Sequence, residues 1–410
     1  MSVINYLSYI LLFFIGLPIT VLAVETFAAI VLCNKIRPPA DKTPRITIII
    51  PAHDEEAVIA STIVSILPQL AQTDSILVVA DNCSDATASV ALNLGTDVIE
   101  RHDTDFTGKG YALDYGISSL KSDPPDIIVF MDADVIATPD SLKKISQLAF
   151  QTGLPIQAAY LLKPPEGAGT KSQLSAFAFC FKNYIRPSGL FKLGLPCLLT
   201  GTGMAIPWAV IQEVSLANGN IVEDMQLGID LTLAGHSPLF CPDARIIGEL
   251  PAASDTAVIQ RKRWEYGHLK TIFSQVPRLL RHSIRFKRID LLGLSMELMI
   301  PPLSILFFLW SIAMAILTSL SLLNLVIWAP AIVSAGLGAL LALTILLGWL
   351  NFGRDILSFE TLLKTPCYLF SKVPIYFSFI KNPEKRWIKT KREKAGLNSE
   401  NKKTDNTFIK

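Results

Sequence analysis

Three long apolar runs constrain this chain more than any other feature of its sequence. They cover about Ile4–Cys33, Leu291–Leu322 and Leu325–Leu350, and each is long enough to cross the hydrocarbon region of a bilayer as a helix. Half of the 410 residues are hydrophobic and 18% are charged, whereas about a quarter of the residues in soluble domains are charged. We therefore expect a multi-pass protein of the cell (inner) membrane.

Basic residues beside these runs predict the orientation of the chain. Lys35 and Arg37 follow the first run, and a basic stretch from Arg278 to Arg288 precedes the second. Since Lys and Arg are enriched on the cytoplasmic side of membranes, the polar segment between the two runs is expected in the cytoplasm. A secretory signal peptide would carry its basic residues before the apolar run, so the first run is predicted to be an anchor.

The pattern divides the chain into five parts. Residues 356–380 are apolar but interrupted by Lys and Pro, and we interpret them as interfacial helices. A fourth span would place the basic segment after them outside, against the charge rule. The predicted parts are a transmembrane helix (1–35), a cytoplasmic catalytic domain (40–290), two transmembrane helices (291–350), interfacial helices with a basic cytoplasmic segment (351–395) and a disordered tail (396–410).

The segment 40–290 alternates strand-like and helix-like stretches. This alternation predicts parallel βαβ units with right-handed crossovers, and therefore an α/β fold with a mostly parallel sheet. The expected strands are Ile46–Ile50, Ile76–Ala80, Asp97–Glu100 and Ile127–Met131, and the expected helices are Glu55–Leu70, Ala86–Leu94, Gly110–Leu120 and Ala257–Leu280.

Several classes of protein are disfavoured by what the sequence lacks. The six cysteines and five histidines form no CxxC, HxxxH or HExxH pattern, which argues against zinc or haem and favours a reducing compartment. There is no GxGxxG after the first strand and no GxxxxGK[ST], which disfavours a dehydrogenase and a P-loop enzyme. A net charge of +2 is too small to indicate a nucleic-acid partner.

Carboxylates follow three of the predicted strands. The first strand ends at Pro51-Ala52-His53-Asp54-Glu55-Glu56, the second at Asp81, and the fourth at Asp132-Ala133-Asp134. In an open α/β sheet, ligands bind beyond the carboxyl ends of the strands, and clustered carboxylates suit Mg²⁺ or Mn²⁺ with a nucleotide diphosphate. The alternative interpretation is that Asp132 and Asp134 cap a helix beginning near Pro139.

Three further motifs carry candidate functional residues. Lys109, between two glycines before a helix, can reach a phosphate or base, and its place in the sequence favours this function over the alternative of a solvated turn. Gly201-Thr202-Gly203 indicates a close approach of the backbone to a ligand. Glu223-Asp224 begins a predicted helix, where acidic residues also serve as ordinary caps.

A helix leading towards the second apolar run contains Gln260-Arg261-Lys262-Arg263-Trp264. Gln260 and Arg263 share one face at i and i+3. An arginine can bind a diphosphate through two parallel hydrogen bonds, and a tryptophan offers a flat face to a sugar ring. A basic interfacial helix with an aromatic anchor is the alternative.

Taken in order, these motifs resemble family 2 glycosyltransferases of the GT-A fold, in the membrane-bound branch related to cellulose, chitin and hyaluronan synthases. The resemblance covers roughly residues 40–290, with membrane segments on both sides. The motifs that carry it are PAHDEE, ADNCSDAT, TGKG, MDAD, GTG, VED and QRKRW.

The resemblance implies a role for each motif. Asp81 would contact the base or ribose of the nucleotide, aided by Ala52, His53 and Glu55. Asp132 and Asp134 would bind the metal, with Asp134 favoured as its direct ligand. The remaining implied roles are Asp224 as general base with Glu223 beside it, Lys109, Asp132 and Arg263 on the donor, and Gln260, Trp264, Gly201 and Thr202 on the acceptor.

The resemblance also implies an activity, the inverting and metal-dependent transfer of a sugar from a nucleotide sugar, with UDP favoured as the nucleotide. The implied acceptor is lipid-linked or a saccharide, and the implied process is envelope, exopolysaccharide or glycolipid synthesis. A processive polysaccharide synthase, or a subunit of one, is the alternative, and it would need partner subunits or a homo-oligomer because three helices hardly enclose a polymer. A non-catalytic scaffold is disfavoured because every expected carboxylate is present.

Overall fold

The computed structural model describes residues 3–32, 43–165, 167, 169–217, 222–250 and 254–365, and for residues 254–263 it describes the backbone alone. The predictions for Lys35, Arg37, the basic segment and the tail therefore lie outside the described residues. So do those for the side chains of Gln260 and Arg263.

Eight strands and fourteen α-helices make up the described part of the chain. The strands are β1 Ile46–Ala52, β2 Ser75–Asp81, β3 Asp97–Arg101, β4 Ile127–Phe130, β5 Val135–Ala137, β6 Ile156–Lys163, β7 Met204–Pro207 and β8 Leu239–Glu249. The helices are α1 Val3–Val31, α2 Ile59–Ile66, α3 Thr87–Asn93, α4 Lys109–Ser119, α5 Ser141–Thr152, α6 Thr170–Cys180, α7 Arg186–Lys192, α8 Trp208–Ile211, α9 Glu223–Ala234, α10 Ser254–Phe286, α11 Ile289–Leu298, α12 Leu303–Leu322, α13 Ala329–Phe352 and α14 Phe359–Leu363.

The strands form one mixed sheet in the order β3-β2-β1-β4-β7-β6-β8-β5. Strands β1 to β4 are parallel to their neighbours within that group, and β6 is parallel to β8. β1 is a run of buried isoleucines because helices cover both faces of the sheet. The predicted α/β class with a mostly parallel sheet is confirmed.

Strand β7 enters the sheet antiparallel to β4, a pairing that the sequence did not predict. It follows Gly203, whose amide donates to the Phe130 carbonyl oxygen over 2.8 Å. Because Phe130 ends β4, the Gly201-Thr202-Gly203 turn lies directly beside Asp132. The antiparallel strand therefore brings two motifs that are far apart in the sequence to one edge of the sheet.

The first predicted helix is shorter in the structure than in the sequence analysis. It begins at Ile59 rather than Glu55, and Asp54 has a positive φ of 53°. The amide of Glu55 instead donates to Thr87 Oγ1 over 2.8 Å. The segment after β1 is thus a loop fastened to the start of α3, and its polar side chains remain at the sheet edge.

Three helices, α1, α12 and α13, are long and apolar enough to cross a membrane, and the protein is therefore a membrane protein. The second span begins at Leu303 rather than Leu291, since Pro301 and Pro302 separate it from α11. A proline lacks the amide that a helix interior needs and disfavours helical backbone before it, so a helix ends at such a pair.

A buried ion-pair cluster joins the first span to the rest of the molecule. Arg186 lies 3.3 Å from Glu25 of α1 and 2.7 Å from Glu297 of α11, and all three side chains are almost fully buried. Gly189 lets α7 approach α1, because a Cβ there would lie 2.0 Å from the Glu25 carbonyl oxygen. Removing one partner would leave an uncompensated buried charge, which costs about 3–5 kcal/mol. The span and the sheet domain are thereby packed as one body.

Candidate active site

One cavity of about 1380 Å³ connects the edge of the sheet with the helices of the membrane region. Five of the acidic residues that line it are here named the carboxylate rim: Asp81, Asp132, Asp134, Glu223 and Asp224. It is also lined by apolar residues of α12 and α13, here named the bundle chamber: Leu303, Phe307, Trp310, Leu341, Ala342 and Ile345. A single ligand-accessible space therefore borders both carboxylates and membrane helices.

Asp81, at the end of β2, is held in place by its neighbours. Arg101 Nη1 donates to Asp81 Oδ1 over 2.7 Å, and Asn82 Nδ2 donates to the same oxygen over 3.1 Å. The His53 ring lies with Nδ1 2.7 Å from the Asp81 carbonyl oxygen. Because Arg101 is buried and also binds Asp103, Asp81 presents a preoriented carboxylate to the cavity.

Asp54, Cys83 and Asp85 bring one potential ligand atom each within 4.8 Å of one another. This cluster differs from the predicted metal pair. Asp54 Oδ1 accepts from the Ser84 amide over 2.7 Å, and Asp85 Oδ2 accepts from the Glu56 amide over 3.1 Å. These bonds fasten the two loops to each other, so the cluster is explained by loop structure.

Lys109, at the start of α4, lies at the centre of the carboxylate rim. Its Nζ donates to Asp132 Oδ1 and, over 2.7 Å, to the Gly201 carbonyl oxygen. Burial alone would lower the pKa of Lys109, but the charges of Asp132, Glu223 and Asp224 outweigh it and raise the pKa to about 12. The solvated-turn interpretation is therefore wrong: Lys109 is a permanent cation inside the site.

Asp132 and Asp134 do not cap a helix. Strand β5 follows them directly, and α5 begins later, at Ser141, after Asp140 as its N-cap. Both side chains line the cavity instead. Burial raises the pKa of Asp132, as does the neighbouring charge of Asp134, while Lys109 opposes the shift. Two adjacent carboxylates in this environment are a donor set that fits a divalent cation.

Glu223 and Asp224 form the first turn of α9, as in a capping arrangement, yet both line the cavity. Burial and the Asp224 charge raise the pKa of Glu223 to about 7, against the opposing effect of Lys109. Gly201, with φ +87°, faces this pair: a Cβ there would lie 3.2 Å from both Asp224 Oδ2 and Lys109 Nζ. The turn thus leaves room for a substrate atom beside Asp224.

Most predicted site residues meet at this one cavity. Those that line it are Ala52, His53, Glu55, Asp81, Lys109, Asp132, Asp134, Gly201, Glu223, Asp224 and Trp264.

Thr202 differs from its prediction as an acceptor contact. Its side chain is fully buried, and its Oγ1 accepts from the Asp132 amide over 3.0 Å. It positions Asp132 and does not face the cavity. Gly201 lines the cavity, whereas the side chain of Thr202 points into the protein interior.

Several lining residues were missed by the sequence analysis. The predicted residue Trp264 packs against Phe179, with ring centroids 5.9 Å apart, and the rings of Phe179 and Tyr160, which the sequence analysis did not name, lie 5.1 Å apart. Lys182 and Asn183 line the same cavity from the turn after α6. A lysine and an asparagine within the apolar stretch Phe177–Ile185 were the available signal.

Comparisons with known proteins identify chains of similar sequence and fold. Residues 44–267 match the family described as "Glycosyltransferase like family 2". The chain is 25% identical over 268 residues to the Probable glycosyltransferase YdaM of Bacillus subtilis, and the match spans 62% of each protein. The mannosyltransferase PcManGT of Pyrobaculum calidifontis, solved with GDP-Man and Mn²⁺, superimposes with a TM-score of 0.54 at 15% identity, covering 85% of this chain and 98% of that one.

Proposed function

The chain belongs to the glycosyltransferase-like family 2, and from that premise we propose that it transfers a sugar from a nucleotide sugar to an acceptor hydroxyl supplied from the membrane. One observation carries the proposal. Lys109 donates hydrogen bonds to Asp132 and to the Gly201 carbonyl oxygen, and Asp224 lies beside the same glycine in the cavity. That cavity continues into the membrane helices.

The proposed reaction is a single in-line displacement. The acceptor hydroxyl oxygen attacks the anomeric carbon, and Asp224 accepts the hydroxyl proton as general base. The bond between the anomeric carbon and the diphosphate oxygen breaks, and its electron pair leaves with the diphosphate. One displacement inverts the configuration at the anomeric carbon.

Two side chains are placed to receive the nucleotide part of the donor. Asp81 is fixed by Arg101 and Asn82, and as a preoriented hydrogen-bond acceptor it suits a base or ribose hydroxyl. Lys109 remains charged across the physiological range, so it suits the diphosphate. The two residues are assigned to donor binding. UDP is favoured as the nucleotide by the family resemblance, while the PcManGT structure contains GDP-Man.

Asp132 and Asp134 would hold Mg²⁺ or Mn²⁺. Their adjacent carboxylates fit such an ion, and the PcManGT structure was solved with Mn²⁺. When bound, the ion supplies positive charge that stabilises the developing diphosphate. Thr202 keeps the Asp132 backbone in place for this role.

We assign the carboxylate rim to the cytoplasmic side of the inner membrane, since nucleotide sugars are cytoplasmic metabolites and the basic flanks of the apolar runs predict this orientation. A donor arriving from water and an acceptor arriving from the bilayer would then meet at Asp224. This arrangement accounts for a site that opens in both directions.

The test is release of nucleoside diphosphate by the purified full-length protein in lipid nanodiscs. The reaction is supplied with Mg²⁺ or Mn²⁺, extracted membrane lipids and a panel of UDP- and GDP-sugars. We expect release with one donor, lost on chelation of the metal. Absence of release with every donor would overturn the proposal.

A further inference from the structure

The cavity contains a second polar group, separate from the carboxylate rim. Between α6 and α7 the helix widens into one π-helical turn, Phe181–Ile185, which holds Lys182 and Asn183. Such turns are rare and are frequent at functional sites. Both side chains line the cavity, so the widened turn presents two polar groups to it.

The amine of Lys182 has no direct hydrogen-bond or ion-pair partner among the described side chains. Burial lowers its pKa, and the surrounding charges of Asp224, Arg186, Glu297 and Glu265 act on it through space rather than through hydrogen bonds. Arg186, by contrast, is bound by both Glu25 and Glu297. Lys182 is therefore available to an anion within the cavity.

Asn183 provides the second, independent observation. Its side chain is 3% exposed, and its Oδ1 has no hydrogen-bond partner among the described residues. Leaving a buried carbonyl without a hydrogen bond is destabilising, and a ligand with a hydroxyl would supply that bond. A cation and a hydrogen-bond acceptor in adjacent positions match a ligand that carries both a negative charge and a hydroxyl.

The position of the turn indicates what the rest of the ligand is. Phe181 contacts α13, since a Cβ at Gly348 would lie 2.5 Å from the Phe181 ring. The charge of Asp224 acts on Lys182 and opposes the lowering of its pKa by burial. The pair, the carboxylate rim and the apolar walls of the bundle chamber therefore line one cavity. One ligand in this cavity can therefore contact carboxylates, a lysine with a hydrogen-bond acceptor beside it, and an apolar wall.

We propose that the acceptor is an anionic membrane lipid: Lys182 binds its headgroup phosphate, Asn183 accepts a hydrogen bond from a headgroup hydroxyl, and its chains occupy the bundle chamber. This inference rests on the proposed function and specifies its acceptor. The headgroup hydroxyl would then lie on the Asp224 side, and the acyl or prenyl chains would remain among α12 and α13.

The test compares three lipids in nanodiscs of phosphatidylcholine, with the donor that supports diphosphate release. Phosphatidylglycerol carries both an anion and hydroxyls, diacylglycerol carries only a hydroxyl, and polyprenyl phosphate carries only an anion. We expect transfer of labelled sugar to phosphatidylglycerol. Equal transfer to diacylglycerol, or transfer to polyprenyl phosphate alone, would overturn the proposal.

Variants separate the lipid site from the donor site. Lys182→Met is expected to raise KM for phosphatidylglycerol by about 10- to 100-fold and to leave KM for the donor unchanged. Lys182→Arg should restore much of the loss, and Lys171→Met, at an exposed lysine of α6, should have no effect. An unchanged lipid KM in Lys182→Met would contradict the assignment.

A second pair of variants tests the bundle chamber. Ala342 lines the cavity, whereas its neighbour Leu343 is half exposed outside it. Ala342→Phe should weaken retention of labelled phosphatidylglycerol, measured by native mass spectrometry, while Leu343→Phe should not. Equal retention in both would overturn the lipid position. If no donor is used at all, the proposed function fails instead, so the two failures are distinguishable.

Discussion

The carboxylate rim and the bundle chamber, the two ends of one cavity, are built by different means. The rim consists of loops that follow strands and of the first turn of α9, held by short charged hydrogen bonds such as Arg101 to Asp81. The chamber consists of side chains on two long apolar helices. Fixed polar groups orient a substrate, whereas an apolar wall accommodates chains of varied length.

This difference suggests that the two ends of the cavity have separate functions. The rim selects one donor geometry, and the chamber accepts a membrane-borne molecule by its apolar surface. Lys182 and Asn183 line the same cavity, and the charge of Asp224 acts on Lys182. Changes at the rim should therefore alter turnover and donor affinity, while lipid retention stays intact, and changes in the chamber should do the reverse.

Asp224→Asn is expected to have the largest effect. The amide cannot accept the hydroxyl proton, so kcat should fall by about 10²- to 10⁴-fold, while donor affinity and lipid retention remain near wild type. Asp230→Asn, in the same helix but outside the cavity and near Arg278, is the matched control. Near-wild-type turnover in Asp224→Asn would remove the general-base assignment.

Asp132→Asn should reduce turnover by about 10²- to 10³-fold and weaken metal-dependent donor binding. The variant loses the carboxylate charge that pairs with Lys109 and that would bind Mg²⁺ or Mn²⁺. Titration of Mn²⁺ against donor binding, by calorimetry, measures the effect. Asp97→Asn, at the amino end of β3 and exposed, should behave as wild type. A metal response identical to wild type in Asp132→Asn would contradict the metal assignment.

Gly201→Ala should lower kcat by about 10- to 100-fold, because its methyl group would lie 3.2 Å from Asp224 Oδ2 and from Lys109 Nζ. Gly153→Ala is the control, since it also has a positive φ but has no atom within 4 Å of its Cβ position. Both should lose about 1–2 kcal/mol of stability from left-handed backbone. Only Gly201→Ala should lose turnover, and equal activity in the two variants would remove the crowding argument.

The smallest expected effect is a pH dependence of stability at the rim. The pKa of Glu223 is raised to about 7 in the folded protein, above about 4.3 in an unfolded chain. The contribution of Glu223 to the free energy of unfolding is therefore fully present below about pH 4.3 and is lost as pH rises through about 7.

Glu223→Gln should consequently raise the melting temperature at pH 8, on the order of a few degrees, and leave it nearly unchanged at pH 4, below the unfolded pKa. Thermal unfolding in nanodiscs at the two pH values measures it. Glu249→Gln, at an exposed position of β8, should show no such difference. The same shift at both pH values would contradict the raised pKa.

The sequence predicted the rim better than the chamber. Buried strands such as β1 and β4 are runs of Ile, Val and Phe, and the polar residues that follow them are placed at one edge by the parallel pairing. Asp81 and Asp132 could therefore be named in advance, whereas Asp224, in the first turn of α9, was named through the family resemblance. The scaffold interpretation is countered by their meeting with Lys109 around one cavity.

Features that depend on tertiary packing were not predictable. Thr202 and Gly201 are adjacent in sequence, and Gly201 has a positive φ. The Thr202 side chain points inward to the Asp132 amide, whereas Gly201 borders the cavity. Lys182 lies in an apolar helix, and only the π-helical turn and the packing of α13 show that it faces the cavity. No local pattern distinguishes such a lysine from one on a solvated face.

The most direct test of the account follows one labelled sugar from donor to product. Full-length protein in phosphatidylglycerol-containing nanodiscs is supplied with its donor and metal, and released nucleoside diphosphate and label in the lipid extract are measured in the same sample. The account predicts equal molar amounts, both lost in Asp224→Asn. Diphosphate release with all of the label remaining in the aqueous phase would contradict it.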